Sequence, residues 1–181
     1  MLDWLKELIQ GLWEHLKFWY IVNEYERAVV LRLGKKHGDV RLPGPYFKLP
    51  FIDDVISTQV VPTTLDLSEQ TITTGDNVQL VVESTVKYEV EDAIKLLLEV
   101  RSAADALADM AKGIIRREAV QSTWPATNGE EFERIINRKI KLEAKKWGIK
   151  VHEVSITSMA PMLSIRLLQT SSWKDTDRVK D

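Results

Sequence analysis

The sequence predicts an α+β fold: a mixed, mainly antiparallel sheet with two or three helices on one face, preceded by an amphipathic N-terminal helix. Three observations carry this. "NVQLVVESTVKYEV" (77–90) alternates cleanly, placing Val78, Leu80, Val82, Ser84, Val86, Tyr88 and Val90 on one face of a strand. From Glu91 to Gly148 the apolar spacing turns helical and is punctuated by capping residues. The chain then returns to branched aliphatics in "IKVHEVSIT" (149–157), so strands and helices are segregated along the chain as in an α+β fold.

The first element is "MLDWLKELIQGLWEHLKFWYIV" (1–22), which holds half of the six tryptophans. At about 100° per residue, Leu2, Leu5, Leu8, Ile9, Leu12, Trp13, Leu16, Trp19 and Tyr20 share an arc of roughly 140°. Asp3, Lys6, Glu7, Gln10, Glu14 and Lys17 occupy the opposite side. Charges at every turn or two argue against a transmembrane span, and the Met-Leu-Asp start with no small-residue cleavage site argues against a secretory signal. Two readings remain: a helix lying in a membrane interface, or a helix docked on protein. Its side chains sum to a charge of -1, so binding to lipid would rest mainly on apolar burial.

The elements that follow are strands. "ERAVVLRLG" (26–34) reads as a strand leading to a turn at "GKKHG". In "RLPGPYFKLPFIDDV" (41–55), Pro43, Gly44, Pro45 and Pro50 rule out a central strand and predict a bent, extended segment along a sheet edge. "DVISTQVV" (54–61) and "EQTITT" (69–74) are short strands, and "TGDN" (74–77) supplies the turn before the long one.

Helices come next. Asp92 caps a short helix to about residue 100, and Ser102 with Asp105 opens a longer one to about Gln121. "TWPATNG" (123–129) breaks the pattern. Asn128, followed by Glu131, then opens a third helix that carries Phe132, Ile135, Ile136 and Ile140 and stops at Gly148.

Composition narrows the function. With 181 residues, 44% hydrophobic and 29% charged, the chain is globular in character. A net charge of -2 gives no field for collecting phosphate backbones, so no nucleic-acid partner is expected. The sequence has no cysteine, which excludes disulfides and thiolate chemistry and fits a reducing compartment. His15, His37 and His152 lack ligand-spaced partners, so no metal site or cofactor is expected. Asp53 and Asp54, being adjacent, point to opposite sides of a strand and form no acid/base pair. No glycine loop cradles a phosphate. The residues therefore indicate no enzyme.

Several segments, in order, resemble one family. "RLPGPYFKLPFIDDV" is similar to the Pro-Gly-aromatic-x-x-Pro-Phe-Ile-Asp element of the SPFH (band-seven) family of stomatins, prohibitins and flotillins. "EYERAVVLRLGK" resembles its first strand and "TITTGDNVQLVVESTVKYEV" its Thr-x-Asp-x-Val strand. "AKGIIRREAV" resembles its central helix and "WGIKVHEVSIT" its closing strand, so the likeness covers about residues 23–158. It implies a non-enzymatic, membrane-associated scaffold that forms homo-oligomers and organises or regulates membrane proteins such as proteases, here on the cytoplasmic face. The domains expected are an interfacial helix (1–22), a β-rich first subdomain (23–90), an α/β second subdomain (91–158) and a short tail (159–181). The expected contacts with the lipid bilayer interface are Trp4, Leu5, Leu8, Ile9, Leu12, Trp13, Leu16, Trp19, Tyr20, Tyr46, Phe47 and Phe51. The competing expectation for the three aromatics of 46–51 is burial in the core.

Two departures stand beside the resemblance. The usual long coiled coil is not legible in "SMAPMLSIRLLQTSSWKDTDRVKD" (158–181), where Pro161 and the polar run leave no heptads. The N-terminal segment is also more polar than the family's usual anchor. An alternative function follows: a soluble shell or assembly protein whose first helix packs between subunits.

Overall fold

The computed structural model describes residues 18–162. Eight strands and four helices follow in the order β1 (Trp19–Val22), β2 (Glu26–Arg32), β3 (Lys35–Arg41), β4 (Gly44–Phe47), β5 (Asp53–Gln59), β6 (Thr63–Thr73), β7 (Gln79–Val90), α1 (Ala93–Glu99), α2 (Ala103–Val120), α3 (Trp124–Thr127), α4 (Glu130–Lys146) and β8 (Ile149–Pro161). They form a β1-β4 ribbon, a β3-β2-β5 sheet and a β6-β7-β8 sheet. Every strand pairing among the described residues is antiparallel.

The β6-β7-β8 layer is the mechanical centre. The alternation of β7 does what the sequence predicts: Leu80, Val82, Ser84, Val86 and Val90 are buried, and Glu83 and Lys87 between them are exposed. Helices α2 and α4 cover the buried side, α2 with Leu107, Ala111, Ile114 and Ile115, α4 with Phe132, Ile136, Ile140 and Ala144. Their apolar stripes at helical spacing meet the apolar face of the sheet, and removal of both from water is the main stabilising term. Caps fix where the helices start. Asp92 accepts from the N–H groups of Ile94 and Lys95, both at 3.1 Å, and Ser102 accepts from that of Asp105 at 3.4 Å.

One polar side chain closes an edge. Asn137 on α4 donates to the Val154 carbonyl at 2.7 Å and accepts from the Val154 N–H at 2.8 Å, copying a neighbouring strand for one residue of β8. That contact both orients α4 and blocks part of a sheet edge open to pairing.

The smaller sheet buries Ala28, Val29 and Val30 of β2, and α1 lies against β2 and β5. The change at Glu91 marks where strands give way to helices. The sheet beneath those helices nevertheless includes β6 and β7 as well as β8, because β7 pairs with both along most of its length.

The structure corrects several local expectations. Trp19–Val22 is not the last turn of a helix but strand β1, paired residue for residue with Phe47–Gly44. Aromatic and β-branched residues favour a strand, and the segment 44–47 offers their backbone groups partners distant in sequence. The expected turn at "GKKHG" lies earlier, at Leu33–Gly34, and Lys35–Gly38 run within β3. Strand β6 begins at Thr63 rather than Glu69, a shift in register between Leu67 and Gln70 having interrupted the alternation. Helix α4 is entered from Gly129 with no side-chain cap, and Asn128 instead ends the short turn α3 inside the segment read as a break. Strand β8 continues past Thr157 to Pro161. The residues expected to reach lipid at Trp4, Leu5, Leu8, Ile9, Leu12, Trp13 and Leu16 lie outside the described residues, as does most of the expected tail.

Candidate functional site

The proline-rich segment 43–50 leaves the chain unable to continue a ladder, so it forms one short strand, β4, and then a loop. In the β1–β4 ribbon successive side chains alternate between faces. Tyr20, Val22 and Tyr46 turn inward; Trp19, Ile21 and Phe47 turn out. Trp19 is 76% exposed although it is among the largest apolar side chains in the chain.

The inward row is packed. The rings of Tyr20 and Tyr46 stack with centroids 5.7 Å apart, and the Arg41 guanidinium sits 5.2 Å from the centre of the Tyr46 ring. Burial pushes the Tyr20 phenol above its ordinary pKa, an effect that the nearby Arg41 charge opposes. Outside, Phe18 stacks on Phe47 with centroids 5.9 Å apart, and the Lys48 N–H donates to the Phe18 carbonyl at 2.7 Å. Of the sequence-predicted contacts within the described residues, Trp19, Phe47 and Phe51 are exposed, and Tyr20 and Tyr46 are half-buried.

Beyond β4, one buried carboxylate builds the loop. Asp53 binds Arg32 in a fork, at 2.7 Å to Nε and 3.0 Å to Nη2, and also accepts from the Leu49 N–H at 3.0 Å. Its own N–H donates to the Leu49 carbonyl at 3.0 Å. The Arg32 hydrogen bonds, with help from the Leu49 N–H, lower the Asp53 pKa to about 2, so the ion pair is intact at neutral pH. This loop carries Phe51 outward, 78% exposed and with φ at 69°. The adjoining β2–β3 turn carries Leu33 outward, 77% exposed and with φ at 50°. The Leu33 N–H donates to the Ile52 carbonyl at 2.9 Å, which sets the two tips side by side.

That pairing is unusual in its energetics. A bulky residue with positive φ costs about 1–3 kcal/mol, and glycine is the ordinary occupant of such a position. Here leucine and phenylalanine take it, and among the described residues their side chains gain little burial to offset the cost, being 77% and 78% exposed. Leu49 and Ile52 extend the same apolar end, to which Phe18 is tied through its carbonyl. Sequence reasoning found Phe47 and Phe51 but missed Phe18, Ile21, Leu33, Leu49 and Ile52. The available signal was an apolar residue beside a turn glycine in "LRLG" and the apolar content of "LPFI", which no periodicity template scores.

Among the described residues no group of three or more His, Asp or Glu side chains is arranged to hold a metal ion. No helix among them is long and apolar enough to cross a membrane. The arrangement offers an apolar, aromatic surface.

Residues 20–165 match the SPFH domain / Band 7 family. The chain belongs to that family. An uncharacterized protein of Archaeoglobus fulgidus is 32% identical over 146 residues, covering 75% of this chain and 55% of its own length. Stomatin-1 of Caenorhabditis elegans is 31% identical over 138 residues, covering 75% of this chain and 42% of its own. An uncharacterized protein of Methanocaldococcus jannaschii is 27% identical over 188 residues, covering 98% of this chain and 89% of its own. The chain thus spans about half the length of the first two relatives, and the SPFH match takes in every element from β2 to β8.

Proposed function

We propose that this SPFH protein is a non-enzymatic scaffold that lies on a bilayer by the apolar end of its β3-β2-β5 sheet and β1–β4 ribbon. The observation that supports it is the pair of strained tips, Leu33 and Phe51, held outward beside Phe18, Trp19 and Phe47. Strain of this kind is retained where a partner removes the exposed apolar surface from water, and a lipid interface accepts aromatic rings with polar backbone beneath them. Membrane association is typical of the SPFH family, and the amphipathic sequence pattern of the preceding residues is of the kind that suits a membrane interface. Each copy attaches modestly; a homo-oligomer multiplies the attachment and presents a surface to membrane proteins, including membrane proteases. The cytoplasmic face is the side we assign, and a sequence without cysteine fits its reducing conditions.

The test is flotation of the full chain with lipid vesicles. We expect the unmodified chain to float, and a Phe47→Ser, Phe51→Ser variant to lose at least tenfold in attachment with its fold intact by circular dichroism. A full chain that stays in the soluble fraction at every lipid composition sinks the proposal, and a large native mass in that fraction would favour the soluble assembly instead.

A further inference from the structure

The apolar end does not stand alone. Lys35 and Lys36 open β3 directly after the Leu33–Gly34 turn, and Lys48 lies between Phe47 and Leu49. Arg32 and Asp53 neutralise each other through their fork, and Lys35 pairs in register with Arg32 on the same row of the sheet. On the next row Leu31 has Lys36 on one side and Asp54 on the other. Lys35, Lys36 and Lys48 make no ion pair within 4.0 Å among the described residues, which they share with Lys87, Lys95, Lys112, Lys141 and Lys145, but these three lie in the segments that carry the exposed Leu33 and Phe51. Arg32, Lys35, Lys36 and Lys48 thus set four cations against Asp53 and Asp54 in the segments that carry Leu33 and Phe51, in a chain whose net charge is -2.

Charge placed this way acts where the chain touches lipid. A long lysine stem runs along apolar surface while its ammonium stays with water and headgroups, so a lysine flanking an inserted apolar tip sits at headgroup depth. On the assumption that the apolar end does meet a bilayer, as proposed above, we infer that its occupant is an anionic bilayer, with Lys35, Lys36 and Lys48 forming a collar for lipid phosphates and carboxylates around the Leu33 and Phe51 tips. The apolar tips give attachment to any bilayer; the collar selects negatively charged ones. Each lysine brought near an anionic surface strengthens attachment roughly fivefold, and the effect falls off within a Debye length of about 10 Å at moderate salt.

Flotation of the full chain with phosphatidylcholine vesicles, with and without phosphatidylserine, tests this. We expect tighter attachment to the phosphatidylserine vesicles by at least about fivefold, and removal of that difference in Lys35→Gln, Lys36→Gln, Lys48→Gln with binding to neutral vesicles unchanged. Raising the salt concentration on the unmodified chain should erase the same difference, a readout that needs no variant. Equal attachment of the unmodified chain to both vesicles overturns the collar and leaves the apolar attachment standing. A preference for phosphatidylserine that survives in the triple variant also overturns it, by moving the selectivity to other basic residues. Failure to attach to either vesicle overturns the collar and the bilayer reading together.

Discussion

In the β6-β7-β8 layer and the two helices that cover it, Leu80, Val86, Ile115 and Ile140 are fully buried, whereas in the β1–β4 ribbon and the 48–52 loop Trp19, Phe47 and Phe51 stand in solvent. The two regions draw on the same kinds of side chain and differ in what covers them. In the first, two helices supply the cover; in the second, a short ribbon and a loop tied by Asp53 hold apolar groups away from the chain's own core. The first region is organised for stability; the second keeps its apolar groups exposed at a local cost in backbone strain.

That contrast breaks most visibly in the core. Ile136→Ala should lower stability by about 2–5 kcal/mol, read from urea unfolding, because the cavity lies between α4 and the sheet. Next is Asn137→Ala, which strands the Val154 N–H and carbonyl on a half-covered edge and should cost about 1–3 kcal/mol. Retention of full stability there would show that water replaces the amide without loss.

Acid tests the boundary between the regions. Asp53 has a folded pKa of about 2, below its unfolded value near 4, so its contribution is complete above about pH 4 and disappears as pH falls through about 2. The stability difference between the unmodified chain and Asp53→Asn should therefore shrink across that window. A difference that stays constant down to pH 2 would mean that the Arg32 fork does not stabilise the fold.

The smallest stability effect has the opposite sign. Phe51→Gly removes a side chain from a left-handed position and should raise stability by up to about 1 kcal/mol while weakening vesicle attachment. Stability and attachment falling together would show that Phe51 belongs to the core region after all.

Much of the fold was legible because its signals are local. The alternation of Val78 to Val90, the capping side chains of Asp92 and Ser102, and the helical stripe from Phe132 to Ile140 each identify an element from residues close in sequence. The candidate site was legible only in part. Pro43, Pro45 and Pro50 announced an edge, yet the arc that grouped Trp19 and Tyr20 with a helix fits a short strand equally well, since a few residues do not distinguish the two periods.

By itself, then, the sequence determined the α+β class, the order of most elements, the inner face of β7 and the aromatic character of the 41–55 segment. Tertiary structure alone decided that Trp19–Val22 would be a strand, that Tyr20 and Tyr46 would turn inward while Trp19 and Phe47 turn out, and that Leu33 would stand beside Phe51. The physical reason is distance along the chain. Hydrophobic period and capping act within a turn or two, whereas a strand's partner and the neighbour of a turn are set by hydrogen bonds from residues far away, here the Phe47–Gly44 backbone and the Ile52 carbonyl.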